Sequence, residues 1–233
     1  RVGVTAGPHA MIMEKVKEIL KPNGVDLEII EFNDFILPNQ ALAEGEIDAN
    51  SFQHAPYLAE QNNHLSSPLI SIGKTVLMPL GIYSNHWKTL QSVPDGATVS
   101  IPNDPTNEGR ALKLLAAQGL ITLKSAIESP TLQDVENNPK SLKLVAIEAP
   151  QLPRTLDDVD ISVINTDWIL LAGLDPNTAL ARESIDSPYT NILVVRERDK
   201  DNPKIQSLLK AYHSPEVKAY IDQHFKGAVI SAW

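Results

Sequence analysis

Residues 1–20, RVGVTAGPHAMIMEKVKEIL, read as strand, tight loop and helix. Val2 and Val4 alternate with small or polar residues. Gly7-Pro8 makes the turn, and Pro8 suits the first helical position, where its missing N–H would have had no partner anyway. Ile12, Val16, Ile19 and Leu20 then share one helical face. Pro22-Asn23-Gly24 stops the helix. This unit recurs along the chain, and its recurrence decides the fold class.

Working outward, VDLEIIEF (25–32) is a second strand, Leu37–Glu44 a helix closed by Gly45, and Ile47–Ser51 a short strand. His54–Asn62 supplies a helical turn or two, and Leu69–Ile72 and Thr75–Tyr83 are apolar, strand-like runs. This β-α-β-α-β order predicts a mostly parallel sheet covered by helices. A second series starts at Asp95-Gly96: strand 97–101, a Pro/Asn loop, helix 107–118, strands 142–147 and 161–165, and helix 166–172. TNILVVR (190–196) is a late β-branched strand, followed by helices at about 203–213 and 215–225. The late strand and helices are expected to return to the first lobe and complete it. The expectation is two α/β lobes, residues 1–82 plus 191–233 and residues 83–190. Two short crossovers, near 80–85 and 187–191, would join them.

Composition narrows the function. The chain has 233 residues, 42% hydrophobic and 21% charged, enough for a real core without disulfides. A net charge of −9 repels phosphate backbones, so no nucleic-acid partner is expected. The absence of cysteine removes disulfides, Cys-zinc sites, iron–sulfur ligation and Cys nucleophiles. The six histidines show neither H-E-x-x-H nor an i,i+4 pair, so no metal is expected. G-x-S-x-G, P-loop and G-x-G-x-x-G patterns are missing too and no Ser-His-acid order stands out, so no motif here points to a cofactor or to a catalytic centre. The chain opens directly on a core strand without an initiator Met, from which a trimmed mature fragment is expected.

Three constellations can carry chemistry. In VSIPNDPTNEGRAL (99–112) a strand runs through a loop into a helix, with Arg110 in its first turns. A guanidinium fork binds carboxylates in a bidentate way, a charge-assisted contact worth about 1.5–3 kcal/mol. Thr106 or Asn107 can cap that helix and also meet a ligand. Equally, Arg110 fits a salt bridge at the surface or between lobes. In ANSFQHAPYL (49–58), Phe52, His54 and Tyr57 sit beside Asn50 and Gln53, the mixture a small-ligand pocket needs; local packing, with His54 capping a helix, explains them as well. Asn165 and Asn191 lie at strand ends, where an amide can accept from an ammonium and donate to a carboxylate. Asn165 can equally form a turn, whereas Asn191 at a β-branched strand is a local misfit that points to function.

The stretches TAGPHA (5–10), EFNDFILPNQAL (31–42), DANSFQHAPYL (48–58), IPNDPTNEGRAL (101–112), LPRTLDDVDISVINTDW (152–168), DSPYTNILVVRE (186–197) and HFKGAVISAW (224–233) resemble, in order and over the whole chain, the NlpA/MetQ-type methionine-binding lipoproteins. These are substrate-binding components of bacterial ABC importers. The resemblance implies a type-II periplasmic binding protein: two α/β lobes, two crossovers and a ligand cleft between them. It also implies a monomer outside the cytoplasm, tethered to the membrane by a lipidated Cys upstream of Arg1 and serving a permease–ATPase complex. Carried over residue by residue, Arg110 would clamp the methionine carboxylate, and Asn165 and Asn191 would hold the head group. Phe52, His54 and Tyr57 would wall the side chain, with Asn107 and Tyr83 as further candidates. The chain departs from the family at Met78, where an aromatic, often Tyr, is usual; a flexible thioether there alters affinity or selectivity. Arg110→Ala is expected to abolish binding and leave the fold intact. Another small apolar amino acid, or a methionyl dipeptide, is the alternative ligand. An enzyme using His54 as base, and the sensing domain of a transcription regulator, are the alternatives from other classes.

Overall fold

The computed structural model describes residues 1–233. The chain divides into two compact units: Arg1–Met78 with Asp186–Trp233, and Pro79–Ile185. The divisions fall a few residues before the expected 82/83 and 190/191.

The first unit begins with β1 (Val2–Thr5), α1 (Pro8–Leu20), β2 (Ile29–Phe32), α2 (Leu37–Glu44), β3 (Ala49–His54), α3 (Ala55–Asn62), β4 (Leu69–Lys74) and β5 (Val76–Leu77). Gly7 precedes α1 with φ of 102°, a backbone state that Cβ-bearing residues avoid, so the turn depends on glycine. Ile12, Met13, Val16 and Leu20 of α1 are buried. The second strand is shorter than its apolar run suggests, because the Val25 N–H bonds back to the Leu20 carbonyl and finishes the helix instead.

The second unit holds β6 (Gly81–Tyr83), β7 (Thr98–Pro102), α4 (Pro105–Ala117), β8 (Thr122–Leu123), β9 (Val135–Asn137), β10 (Lys143–Ile147), β11 (Ile161–Ile164), α5 (Thr166–Leu171) and β12 (Ala181–Arg182). The chain then returns to the first unit with β13 (Asn191–Arg196), α6 (Pro203–Tyr212), α7 (Pro215–Phe225) and β14 (Ile230–Ser231).

The two main sheets share one plan. Their orders are β2-β1-β3-β13-β4 and β10-β7-β11-β6-β12. In each, the first three strands run parallel, and the fourth enters antiparallel. That fourth strand is the one each crossing of the chain delivers: β6 after Met78 and β13 after Ile185. Residues 81–83, expected in a crossover, therefore belong to the second unit, where Ile82 pairs with Val163 and Ala181.

Each unit has its own core. In the second, Val99, Ile101, Leu112, Leu115, Ile161 and Val163 are fully buried, packing α4 on the sheet. In the first, Leu42, Ile47, Leu69 and Val194 form a cluster on the α2 side. Burying such side chains stabilises by roughly 1.5–3 kcal/mol each. β14 pairs with β5, so the C-terminal segment is tied into the first unit. No helix is long and apolar enough to cross a membrane.

Candidate functional site

In the second unit, β7 leads through a loop into α4. Asp104 caps the helix: its Oδ2 accepts from the Asn107 backbone N–H at 3.1 Å and from Asn107 Nδ2 at 2.9 Å. The helix thus starts at Pro105, earlier than expected, and Asp104 rather than Thr106 or Asn107 is its cap. Burial pushes the Asp104 carboxyl up, while the bonds from Asn107 and Thr106 pull it down. Asn107 therefore uses its amide nitrogen locally.

Gly109 sits in the helix interior, where glycine normally weakens a helix. A Cβ there would lie 3.0 Å from Pro130 Cδ and 3.2 Å from the Pro130 backbone. The glycine lets α4 pass close to Pro130.

Arg110, the next residue, is only 4% exposed. Its Nε donates to Glu183 Oε2 at 2.9 Å and its Nη2 to Glu183 Oε1 at 2.6 Å. This is a fork-on-fork pair within one unit. Arg110 thus has a buried partner within its own unit, not the surface or interlobe salt bridge of the alternative reading, so Arg110→Ala is expected to lose stability as well as any ligand contact. That truncation strands a carboxylate whose side chain is 13% exposed, a change that typically costs about 3–5 kcal/mol when the pair is buried.

At the end of β11, Asn165 occupies the N-cap position of α5, yet its side chain makes no capping bond. Its Oδ1 is buried without a hydrogen-bond partner. A turn role therefore does not account for the side chain, and an acceptor left in this state costs about 1–3 kcal/mol unless something donates to it. Thr166 Oγ1 donates to the Pro79 carbonyl at 2.9 Å. Burial pushes the Asp167 carboxyl up to about 6, with Arg110 pulling it the other way. Tyr83 is buried, its hydroxyl 3.5 Å from the Pro176 carbonyl, and desolvation pushes it up to about 12.

In the first unit, β3 and α3 bring aromatic rings together. Phe52 and Tyr57 meet edge to face at 5.9 Å, and Phe35 stacks on Phe52 at 6.2 Å. The Tyr57 hydroxyl donates to the Phe35 carbonyl. His54 caps α3, its Nδ1 accepting the Tyr57 N–H at 3.1 Å. That uses the lone pair a general base would need and leaves Nε2 as the N–H of the neutral ring. The ring of Tyr189 lies 5.0 Å from that of His54.

Asn191 pairs with His54 across the antiparallel β3–β13 register, which puts its amide beside the aromatic set. Its Nδ2 is 2.9 Å from Nε2 of His9. Met78, at 7% exposure, closes this part of the chain just after β5. Asn50 and Gln53, the polar neighbours of Phe52, turn away to structural duty. With Asn39 they form a buried amide network: Asn39 Nδ2 to Gln53 Oε1 at 2.9 Å, Gln53 Nε2 to Asn39 Oδ1 at 2.8 Å, and Asn50 Nδ2 to Asn39 Oδ1 at 2.9 Å.

The structure thus gathers Arg110, Asn107, Asn165 and Tyr83 in one unit, and Phe52, His54, Tyr57, Met78 and Asn191 in the other. Sequence reasoning missed Glu183, His9, Phe35 and Tyr189. A buried guanidinium implies an anionic partner, but nothing in the pattern singles out one of 29 acidic residues. Phe35 and Tyr189 stand in loops, where periodicity gives no signal. No group of three or more His, Asp or Glu is placed to hold a metal ion.

The NlpA lipoprotein family matches residues 1–233. The D-methionine-binding lipoprotein MetQ of Salmonella typhi is 44% identical over 238 positions, covering 100% of this chain and 88% of that protein. Lipoprotein 28 of Escherichia coli (strain K12) is 41% identical, with the same coverage of 100% and 88%. Among solved structures, a nutrient binding protein from Burkholderia cenocepacia bound to methionine is similar with a TM-score of 0.97 at 45% identity, covering 100% of this chain and 99% of that one. The methionine binding protein MetQ is similar with a TM-score of 0.96 at 43% identity, covering 100% and 97%.

Proposed function

The chain belongs to the NlpA lipoprotein family and shares its type-II periplasmic binding fold, and we propose that it captures methionine, L- or D-, outside the cytoplasm and delivers it to the permease of an ABC importer. In this reading a lipid on an upstream Cys anchors the protein to the membrane. Its role is capture without catalysis: the one appealing base, His54, already spends its lone pair on a helix cap.

The observation that carries the reading is the unsatisfied, buried Oδ1 of Asn165 in the unit that also buries Arg110. A guanidinium meets a carboxylate and an unpaired amide oxygen meets an ammonium, which together describe an amino-acid head group. Asn191 adds a second amide. Phe52, His54 and Tyr57, with Met78 buried in the same unit, suit an unbranched thioether chain, for which sulfur–ring contacts add about 0.3–1.5 kcal/mol each.

Calorimetry with L-methionine, D-methionine, leucine and a methionyl dipeptide tests the reading, on the wild type and on Arg110→Lys. Lysine keeps a cation for Glu183 but lacks the planar fork. Methionine is expected to bind more tightly than leucine, and Arg110→Lys to weaken methionine at least tenfold while remaining folded. Preference for leucine or the dipeptide would replace the ligand; unchanged affinity in Arg110→Lys would remove Arg110 from the site.

A further inference from the structure

We propose that Arg182 is a binding residue for a carboxylate of the cargo, which it meets through the Nε and Nη2 edge of its guanidinium. This rests on the amino-acid reading of the site. Arg182 is half-buried, and its Nε and Nη2 are both out of solvent without a hydrogen-bond partner. These two nitrogens form an edge that grips a carboxylate in a bidentate way. In Arg110 the same edge is occupied by Glu183, whereas in Arg182 no group of the chain meets it. A charge held out of water without a counter-ion strongly destabilises a fold, so keeping one calls for a reason outside the unliganded chain.

The sheet of the second unit brings Arg182 to the same edge as another orphan. Arg182 ends β12 and pairs with Gly81, the first residue of β6; Gly81 in turn pairs with Ile164, the last residue of β11. Residues opposite one another across antiparallel strands share a face, so the three stand in one row. Two strand spacings, about 10 Å, separate the outer two at the backbone, a gap that an arginine side chain and a small ligand close together. Asn165 follows Ile164 directly, and its Oδ1 is the buried acceptor that lacks a donor. The middle of the row has no side chain. A Cβ on Gly81 would lie 2.7–2.9 Å from ring and hydroxyl atoms of Tyr83, which bends back over the glycine. Burial pushes the Tyr83 hydroxyl up to about 12 while the Arg182 charge pulls it down, so the guanidinium lies within electrostatic reach of that hydroxyl.

The two orphans have opposite needs. Arg182 lacks an anionic acceptor, Asn165 Oδ1 lacks a donor, and they do not satisfy each other. A molecule that carries both a carboxylate and an ammonium satisfies both at once, and a simple carboxylic acid satisfies only one. That carboxylate is either the α-carboxylate of methionine or the terminal carboxylate of a methionyl peptide.

Calorimetry on the wild type, Arg182→Gln and Arg182→Lys tests this, with L-methionine, L-methioninol, L-methionyl-L-alanine and the C-terminal amide of that dipeptide. Methioninol and the amide keep the ammonium and the thioether and lack the carboxylate. Each acid-to-neutral affinity ratio therefore reports the carboxylate contact alone. Arg182→Gln is expected to lower such a ratio at least tenfold, and Arg182→Lys, which keeps the charge without the fork, to fall between. A fall in the methionine pair assigns the α-carboxylate, and a fall in the peptide pair alone assigns the peptide terminus. The ligand-free Arg182→Gln protein is also expected to melt at a higher temperature than the wild type, because an uncompensated charge is gone. An arginine that merely packs on Tyr83 would give a lower melting temperature and constant ratios, and constant ratios overturn the proposal. If Arg182→Gln does not fold, Arg182→Lys carries the comparison by the same ratios. A wild type that binds none of the four overturns the amino-acid reading and this role with it, whereas tight binding with constant ratios overturns the role of Arg182 alone.

Discussion

Nδ2 of Asn191 lies 2.9 Å from Nε2 of His9, which joins the start of β13 to the first turn of α1. An amide nitrogen can only donate, so the His9 ring accepts at Nε2 and carries its proton on Nδ1. Burial favours the same neutral ring, lowering His9 to about 4. The contact orients the Asn191 amide: its nitrogen is directed at His9, which assigns Oδ1 to any donor on a ligand.

His9→Phe removes that acceptor, keeps a ring, and lets the Asn191 amide turn. Leaving a buried donor unmet costs about 1–3 kcal/mol, so methionine affinity is expected to fall between about five- and a hundredfold. Titration calorimetry reads this directly. Unchanged affinity would mean that Asn191 needs no orientation, or no ligand.

Stability is expected to respond to acid in opposite senses in the two units. His9 has a folded value of about 4 against an ordinary 6.5, so the unfolded chain takes up the proton first. Its contribution, about 3 kcal/mol, is fully present above pH 6.5 and is lost as pH falls toward 4. Asp167 is raised from 3.8 to about 6, so the folded chain takes up the proton first. Its burial penalty, also about 3 kcal/mol, is present above pH 6 and is relieved as pH falls toward 4. Thermal melts between pH 7 and 4.5 should show His9→Phe losing less stability on acidification than the wild type, and Asp167→Asn losing more. Parallel curves for all three would contradict both assignments.

Gly109→Ala runs against helix propensity. An exposed helical glycine replaced by alanine gains about 1 kcal/mol. Here the new methyl meets Pro130 ring and backbone atoms at 3.0–3.2 Å, and neither is the end of a flexible chain. The expected result is a net loss of about 1–3 kcal/mol, the usual cost of overpacking. Because Arg110 is the next residue, methionine affinity should drop as well. A melting temperature above that of the wild type would show that the close approach is not a constraint.

The order of elements was legible because it is written in local chemistry. Pro8 at a helix start, Gly45 at a helix end and the β-branched run at 191–196 all mark element boundaries that hold in the structure. The family was legible too, since ordered motifs that carry a guanidinium, two amides and three rings resemble it along the entire chain, and those are the residues proposed to meet the ligand. What the sequence could not determine was pairing across long separations. Glu183 meets Arg110 across 73 positions and Asn191 meets His9 across 182. Neither pair has a spacing rule, because β12 and β13 reach their places through sheet register rather than through helical repeat. The same register moved residues 81–83 out of the expected crossover and into the second sheet. Residue type and period set the elements; which charged or polar groups face each other was decided only when the sheets aligned and buried groups had to find partners.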